Sequence, residues 1–299
     1  TVVTTAASSA TLHLGTETLT NHFGGVLTFS GGGTGPRRLS GALDNRGQTN
    51  VAANATIGDV GLSHVNSGRL HVVATALFMG DALQNQTAGI VSGSGNLDVS
   101  GLDFNNAGTV APGQSTGALT ITGNPVFEAT SALEIELAGL SDHDQLQVSG
   151  NLTIAGVLDV TLLNNYAPSI GSSRTIVSAA DIVGVFSDII GSPGEGVWVV
   201  EYLPTEVNLL VAEAGSGDFD SDGEVGGFDF LAWQRGDSPD PLSPADLAAW
   251  EANYGAGAPM MSALTAVPEP AALVFALLSI AMQPGLRSRR IAFERSLNQ

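Results

Sequence analysis

Val65–Leu70 reads V-N-S-G-R-L, and variants of that hexapeptide recur as H-F-G-G-V-L (His22–Leu27), D-N-R-G-Q-T (Asp44–Thr49), Q-T-A-G-I-V (Gln86–Val91) and N-N-A-G-T-V (Asn105–Val110). The shared glycines are Gly25, Gly47, Gly68, Gly89 and Gly108, at separations of 22, 21, 21 and 19 residues. Each glycine precedes a short apolar stretch, and Asn usually stands just before it. A period near 20 residues, with strand-like runs between Gly and Asn turns, predicts stacked β-solenoid rungs. A single rung cannot bury its apolar side chains; stacking joins the Val, Leu and Ile of successive rungs into one core. Asn at the turns can adopt left-handed conformations and ladder its side-chain amides from rung to rung. A β-sandwich is the competing architecture, but its strands recur every 8 to 12 residues without a fixed longer period.

Beyond Gly108 the alternation of apolar and polar residues becomes plainer. In S-A-L-E-I-E-L-A-G, period two places Leu133, Ile135 and Leu137 on one face and Glu134 and Glu136 on the other. Val197–Tyr202 and Glu206–Val211, joined by Leu203, Pro204 and Thr205, read as a hairpin capping the solenoid end.

The run Phe104–Gly123 (F-N-N-A-G-T-V-A-P-G-Q-S-T-G-A-L-T-I-T-G), followed by His143–Val160, resembles the closing rungs of bacterial autotransporter-type β-solenoid passenger and adhesin proteins, over roughly residues 40 to 190. This resemblance implies a right-handed parallel β-helix in an extracellular setting, among adhesins, matrix components and some enzymes. No membrane β-barrel follows in the sequence, so self-transport is not implied.

Composition narrows the function. Among 299 residues 43% are hydrophobic and 13% charged, enough apolar material for a sizeable core. The ten basic residues are all Arg, and the net charge of -19 repels a polyanion, which excludes nucleic acid as a partner. Without Cys there is neither a disulfide framework nor a thiolate metal site. The sequence opens on Thr1 with no initiating Met, basic n-region or apolar h-region, the expectation for a fragment or processed chain whose signal peptide is missing.

Asp218–Asp229 reads D-F-D-S-D-G-E-V-G-G-F-D. Acidic residues at loop positions 1, 3, 5 and 12, with Gly223 at position 6, place oxygen ligands around a hard cation and turn the backbone sharply between them. Calcium is the expected cofactor. Asp218, Asp220 and Asp222 supply carboxylates, Glu224 its main-chain carbonyl, and Gly226 leaves position 9 to a water. Asp229 closes the shell. Zinc or copper would call for His or Cys, which the loop lacks. Asp at position 12 is shorter than Glu and reaches the ion with one oxygen, which predicts the weaker affinities of extracellular modules.

Two helices are predicted behind the loop. The first runs from Phe228 to Arg235 and is ended by Gly236. The second has Ser243 as N-cap, Pro244 at its first position, Asp246 as capping-box acid, and Leu247, Trp250 and Tyr254 on one face. They share D-x-x-A-W, at Asp229–Trp233 and Asp246–Trp250, so the unit is duplicated. The second copy has lost its metal loop, with Arg235, Asp237 and Pro239 at its positions 1, 3 and 5. The arrangement resembles a dockerin-type module, which implies calcium-ligand roles for Asp218, Asp220, Asp222 and Asp229 and a cohesin-like partner. In so short a module Trp233 and Trp250 are expected to form the small core rather than a carbohydrate platform.

The tail carries V-P-E-P (Val267, Pro268, Glu269, Pro270), an apolar run Ala271–Met282, and R-S-R-R with Arg287, Arg289 and Arg290. That order resembles the PEP-CTERM sorting signal of bacteria that make exopolysaccharide, which implies an exosortase-type processing enzyme and a transient membrane anchor with a cytoplasmic basic end.

For catalysis, Asp142, His143 and Asp144 form the best cluster, and a polar turn accounts for it. His13, His22, His64 and His71 are scattered, Ser63 and Ser115 lack a nucleophile elbow, and a Lys base is impossible. The expected fold is therefore mainly β: a right-handed parallel β-solenoid with a C-terminal β-hairpin cap (1–214), a small α-helical calcium-loop module (215–256), a linker (257–266), a sorting signal containing a hydrophobic helix (267–290) and a basic tail (291–299). The expected function is that of an exported, non-catalytic surface or extracellular-matrix protein associated with exopolysaccharide. The alternative is a carbohydrate-active β-helix enzyme delivered by the same tail.

Overall fold

The computed structural model describes residues 9–31, 35, 37–212, 217–220 and 225–255. The linker 257–266, the predicted hydrophobic helix and the basic tail lie outside the described residues. Residues up to Gly257 cluster as one unit containing both the β region and the helices.

Short strands stack in parallel to form a β-solenoid of about six turns, three strands to a turn. One such turn consists of Gln48–Val51, Ala55–Gly58 and Ser63–Asn66, and the next of Arg69–Val72, Thr75–Met79 and Ala82–Asn85. The first strands of the turns form an eight-stranded sheet. The second and third faces are joined into a sixteen-stranded sheet because Arg37–Asn45 is long enough to serve both, pairing with Ala55–Gly58 through Leu39 and with Ser63–Asn66 through Asn45.

Register is held by alternation. Leu70, Val91, Val110, Leu133 and Leu158 lie in one inward column through successive pairings, each at most 1% exposed. A one-residue slip would turn every one of them to solvent, and each buried side chain of this size contributes about 1.5–3 kcal/mol. As expected, Leu133, Ile135 and Leu137 are fully buried.

The periodic Asn residues build a ladder inside the solenoid. Asn21 Nδ2 donates to Asn45 Oδ1 at 2.8 Å, Asn45 to Asn66 at 2.7 Å, Asn66 to Asn85 at 2.7 Å and Asn85 to Asn106 at 2.6 Å. These partners are 24, 21, 19 and 21 residues apart, the period read from the sequence. The ladder residues sit at the last position of their strands rather than in left-handed turns; among the described Asn residues positive φ occurs at Asn164 and Asn165. The repeating glycines answer to close stacking instead. A methyl group on Gly68 would overlap the carbonyl oxygen of Gly47, and one on Gly108 would overlap that of Gly89.

At the C-terminal end Ser173–Ser178 pairs antiparallel with Glu206–Ala212, which pairs antiparallel with Val197–Tyr202. This is the expected hairpin cap; it buries Trp198, Val207, Leu209 and Val211 over the last turn. Two helices follow, α1 (Gly227–Arg235) and α2 (Pro244–Asn253), and α2 packs against Val197–Tyr202. Among the described residues no helix is long and apolar enough to cross a membrane.

Candidate metal centre

Helix α1 begins directly behind the acidic loop, with Gly226 as its extended N-cap and Asp229 in its first turn. Asp229 is 1% exposed and gathers the loop around itself. Its Oδ1 accepts hydrogen bonds from the main-chain N–H of Phe219 at 2.7 Å and Asp220 at 3.2 Å, and its Oδ2 accepts from Gly226 N–H at 2.6 Å. The last of these satisfies a donor that a helix start leaves without an intrahelical partner.

The side chains of Asp218, Asp220 and Asp229 each bring a carboxylate oxygen within 4.8 Å of the others. Oxygens that each sit 2.3–2.6 Å from one calcium ion cannot be more than about 5 Å apart, so this spacing suits a shared cation. The donor set is all oxygen, as a hard cation requires. Asp222 and Glu224, the other two ligands expected from the sequence, lie outside the described residues, as do Val267, Pro268, Glu269, Pro270, Arg287, Arg289 and Arg290 of the sorting motif.

Aromatic packing holds the helices behind this loop. Phe230 stacks on Trp233 with ring centroids 5.7 Å apart and meets Trp250 at 4.9 Å; Tyr254 stands edge-on to Trp250 at 5.1 Å. Both indoles are engaged, since Trp250 Nε1–H donates to Gly226 O at 2.6 Å and Trp233 Nε1–H to Ser243 O at 3.0 Å. Trp250 thus ties the second helix to the N-cap of the first. Gly236 ends α1 in the left-handed conformation, its N–H reaching the carbonyls of Ala232 and Trp233. Ser243 caps α2 through Oγ, which accepts from Asp246 N–H at 3.0 Å. The Asp246 carboxylate accepts from Asp240 N–H at 2.8 Å instead of closing a reciprocal box, because Ser243 N–H already donates to Asp240 O. Tyr254 falls just past α2 and is exposed, although the spacing put it on the helix face.

The other candidates separate clearly. Asp144 is 1% exposed and fastens two segments, its Oδ1 accepting from Gly117 N–H and its Oδ2 from Glu136 N–H, each at 2.9 Å. Burial pushes its carboxyl up to about 7, against the pull of those two donors. Asp142 accepts from Thr116 Oγ1, and His143 Nε2 lies 3.1 Å from Thr175 O. The D-H-D cluster is thus a structural knot. His64 is fully buried: Nδ1 accepts from Leu43 N–H at 3.0 Å and Nε2–H donates to Met79 O at 3.0 Å. Burial lowers its pKa, and an accepting Nδ1 requires the neutral ring. His13 and His22 are exposed and far from these groups in sequence, whereas His71 borders a groove that Asp144 also lines. No local motif marks that groove; the rung period, applied to the outward positions Arg69, His71 and Glu134, places them on one face.

No family model matches the chain. Over an alignment of 128 residues that covers 40% of the chain, the sequence is 35% identical to the Adhesin BmaC autotransporter of Brucella suis biovar 1 (strain 1330). The alignment corresponds to 4% of that much longer protein. The similarity agrees with the resemblance of the repeats to autotransporter adhesins and with the solenoid observed.

Proposed function

We propose that the chain is an exported, non-catalytic, adhesin-like protein of the cell surface or extracellular matrix. In this reading the β-solenoid is the displayed body, residues 215–256 form a dockerin-like module that folds around one calcium ion, and the segment from Val267 to Arg290 is a PEP-CTERM-type sorting tail. The carrying observation is the six-turn solenoid whose sequence resembles an autotransporter adhesin. The oxygen-only trio Asp218, Asp220 and Asp229 supports the calcium role. For the tail, the order of V-P-E-P, apolar run and Arg cluster is the support, and with it comes an exosortase-type processing enzyme, a membrane stage before processing, and extracellular polysaccharide or a cohesin-like protein as partner.

Protease shaving of intact source cells tests this reading. Peptides from residues 37–212 should be released from the surface, and recovered protein should lack the residues after P-E-P. Protein found only inside the cell, or outside it with an intact Gln299, would overturn display or the tail respectively. The second reading is the carbohydrate-active enzyme, favoured by Glu134 and Glu136 along one groove. Reducing ends released from a polysaccharide panel, and lost with Glu134→Gln, would establish it.

A further inference from the structure

The first face of the solenoid carries a polar groove of about 490 Å³. Its floor follows from register. His71 pairs with Ser92, Ser92 with Ala111, and the Val110–Leu133 pairing brings Ala111 beside Glu134. The two small side chains, Ser92 and Ala111, therefore lie between a His and a Glu that stand three strands apart, about 14 Å at the usual strand spacing.

One wall is the loop that follows Thr109–Pro112. Gly113 turns it with φ 84° at a point where a side chain would collide with Asp144 Oδ1, and Ser115 holds φ 100°, a region few side chains occupy. The loop then reaches back over two turns, placing Gln114 Nε2 3.2 Å from His71 Nε2, while His71 Nδ1 lies 3.1 Å from Ser92 Oγ. Gly117, at the loop's far end, is pinned by Asp144. The wall is thus fixed by groups that are themselves held by hydrogen bonds.

The two ends differ in chemistry. At one end are Arg69, exposed and in no ion pair among the described residues, and the His71–Ser92 pair. At the other are Glu134 and Glu136, with Asp159 opposite Glu134 on the next turn. Partial burial against the wall, then the charges of Asp159 and Glu136, raise the Glu134 pKa, although the residue as a whole remains exposed; Arg69 opposes the rise. A ligand that suits both ends must give hydrogen bonds to carboxylates and accept them from guanidinium along one extended line. Hydroxyl groups do both. A polyanion would be repelled by the three carboxylates, and the lining offers no apolar pocket to hold peptide side chains.

We propose that this groove binds a neutral oligosaccharide lengthwise across the turns of His71, Ser92, Ala111 and Glu134, without cleaving it. The inference rests on the surface-display reading only for the choice of a glycan as the hydroxyl-rich ligand.

Isothermal titration of the full chain with neutral tetrasaccharides (β-1,4-glucan, β-1,4-mannan and α-1,4-glucan) and with tetragalacturonate tests it. At least one neutral tetrasaccharide should bind, tetragalacturonate should not, and the sugar should be recovered intact. Arg69→Gln and Glu134→Gln should each weaken binding at least tenfold, and Ala111→Trp, which fills the floor, should abolish it, all with the melting midpoint of the parent. The proposal is overturned if no neutral tetrasaccharide binds, if Ala111→Trp binds as well as the parent, if tetragalacturonate binds as tightly, or if reducing ends are released. Protease shaving reports display independently, so a chain that binds sugar but is not displayed refutes the surface reading and leaves the groove assignment standing.

Discussion

Asn106 lies in register with Phe127, and at that step the asparagine ladder ends. Asn106 accepts from Asn85, but its own Nδ2 is buried with no hydrogen-bond partner, because the next turn offers a phenyl ring where an amide oxygen would have to be. The two ends of one side chain therefore have opposite energetic standing. Asn66, in mid-ladder, accepts from Asn45 and donates to both Asn85 Oδ1 and Ile90 O. Asn66→Ala removes all three bonds and strands buried groups on both neighbouring turns, a loss of roughly 2–4 kcal/mol. Asn106→Ala removes one bond and one unsatisfied donor together, so its midpoint in urea should fall by less than half as much.

Substitution of the repeating glycines tests close stacking against backbone conformation. Gly68→Ala forces a methyl group into the Gly47 turn and should cost about 3 kcal/mol or more, since neither backbone can retreat without breaking its ladder. Gly101→Ala meets nothing within 4 Å and needs no left-handed backbone. Its melting temperature should match the parent.

Asp144 and His64 give opposite pH dependences. The folded state raises the Asp144 pKa from 3.8 to about 7, so it holds that proton more tightly than the unfolded chain. The stability this contributes is full below about pH 4 and lost as pH rises through about 7, on the order of a few kcal/mol. His64 is lowered from 6.5, so its contribution is present above pH 6.5 and declines as pH falls through the folded value. Urea midpoints of Asp144→Asn between pH 4 and 8 should lack the parent's downward component with rising pH. Parallel curves for parent and variant would contradict the shift.

Calcium should be taken up with a stoichiometry near one. Without the ion, the carboxylates of Asp218, Asp220 and Asp229 repel one another in front of a core built on Phe230, Trp233 and Trp250. Calorimetric titration of chelator-treated protein should give one site, accompanied by a gain in helical circular dichroism. Asp220→Ala should abolish both signals. Two ions, or helicity unchanged by chelator, would rule out the single-site account.

The β architecture was legible because its information is periodic. One glycine every 19 to 22 residues and strict alternation around Leu133–Leu137 report stacking and facing directly, and the hairpin of Val197–Tyr202 with Glu206–Ala212 is separated by a recognisable turn. Helix ends were readable at Gly236 and Ser243 for a similar reason, since local chemistry decides them. What pattern could not show was pairing across turns. Asp144 read as part of a polar turn, and only the packing of Gly117 and Glu136 around it shows which segments that turn fastens. Gln114 reaches His71 across 43 residues, a contact no local window contains. At Asp229 the motif indicated a ligand, whereas its three main-chain hydrogen bonds depend on how the loop closes.

The strand Val197–Tyr202 (V-W-V-V-E-Y) is the last of its sheet, hydrogen-bonded on one side to Glu206–Ala212, and α2 packs against it. Its sequence is strongly β-forming and carries a single charge. Freed of that packing, such a strand is a template for another chain to add a strand. The helices therefore bear on colloidal behaviour as well as forming a small folded unit: a chain ending at Ala212 should keep its solenoid yet lose the cover α2 gives Val199 and associate with other copies, so that light scattering rises with concentration while the parent stays dispersed.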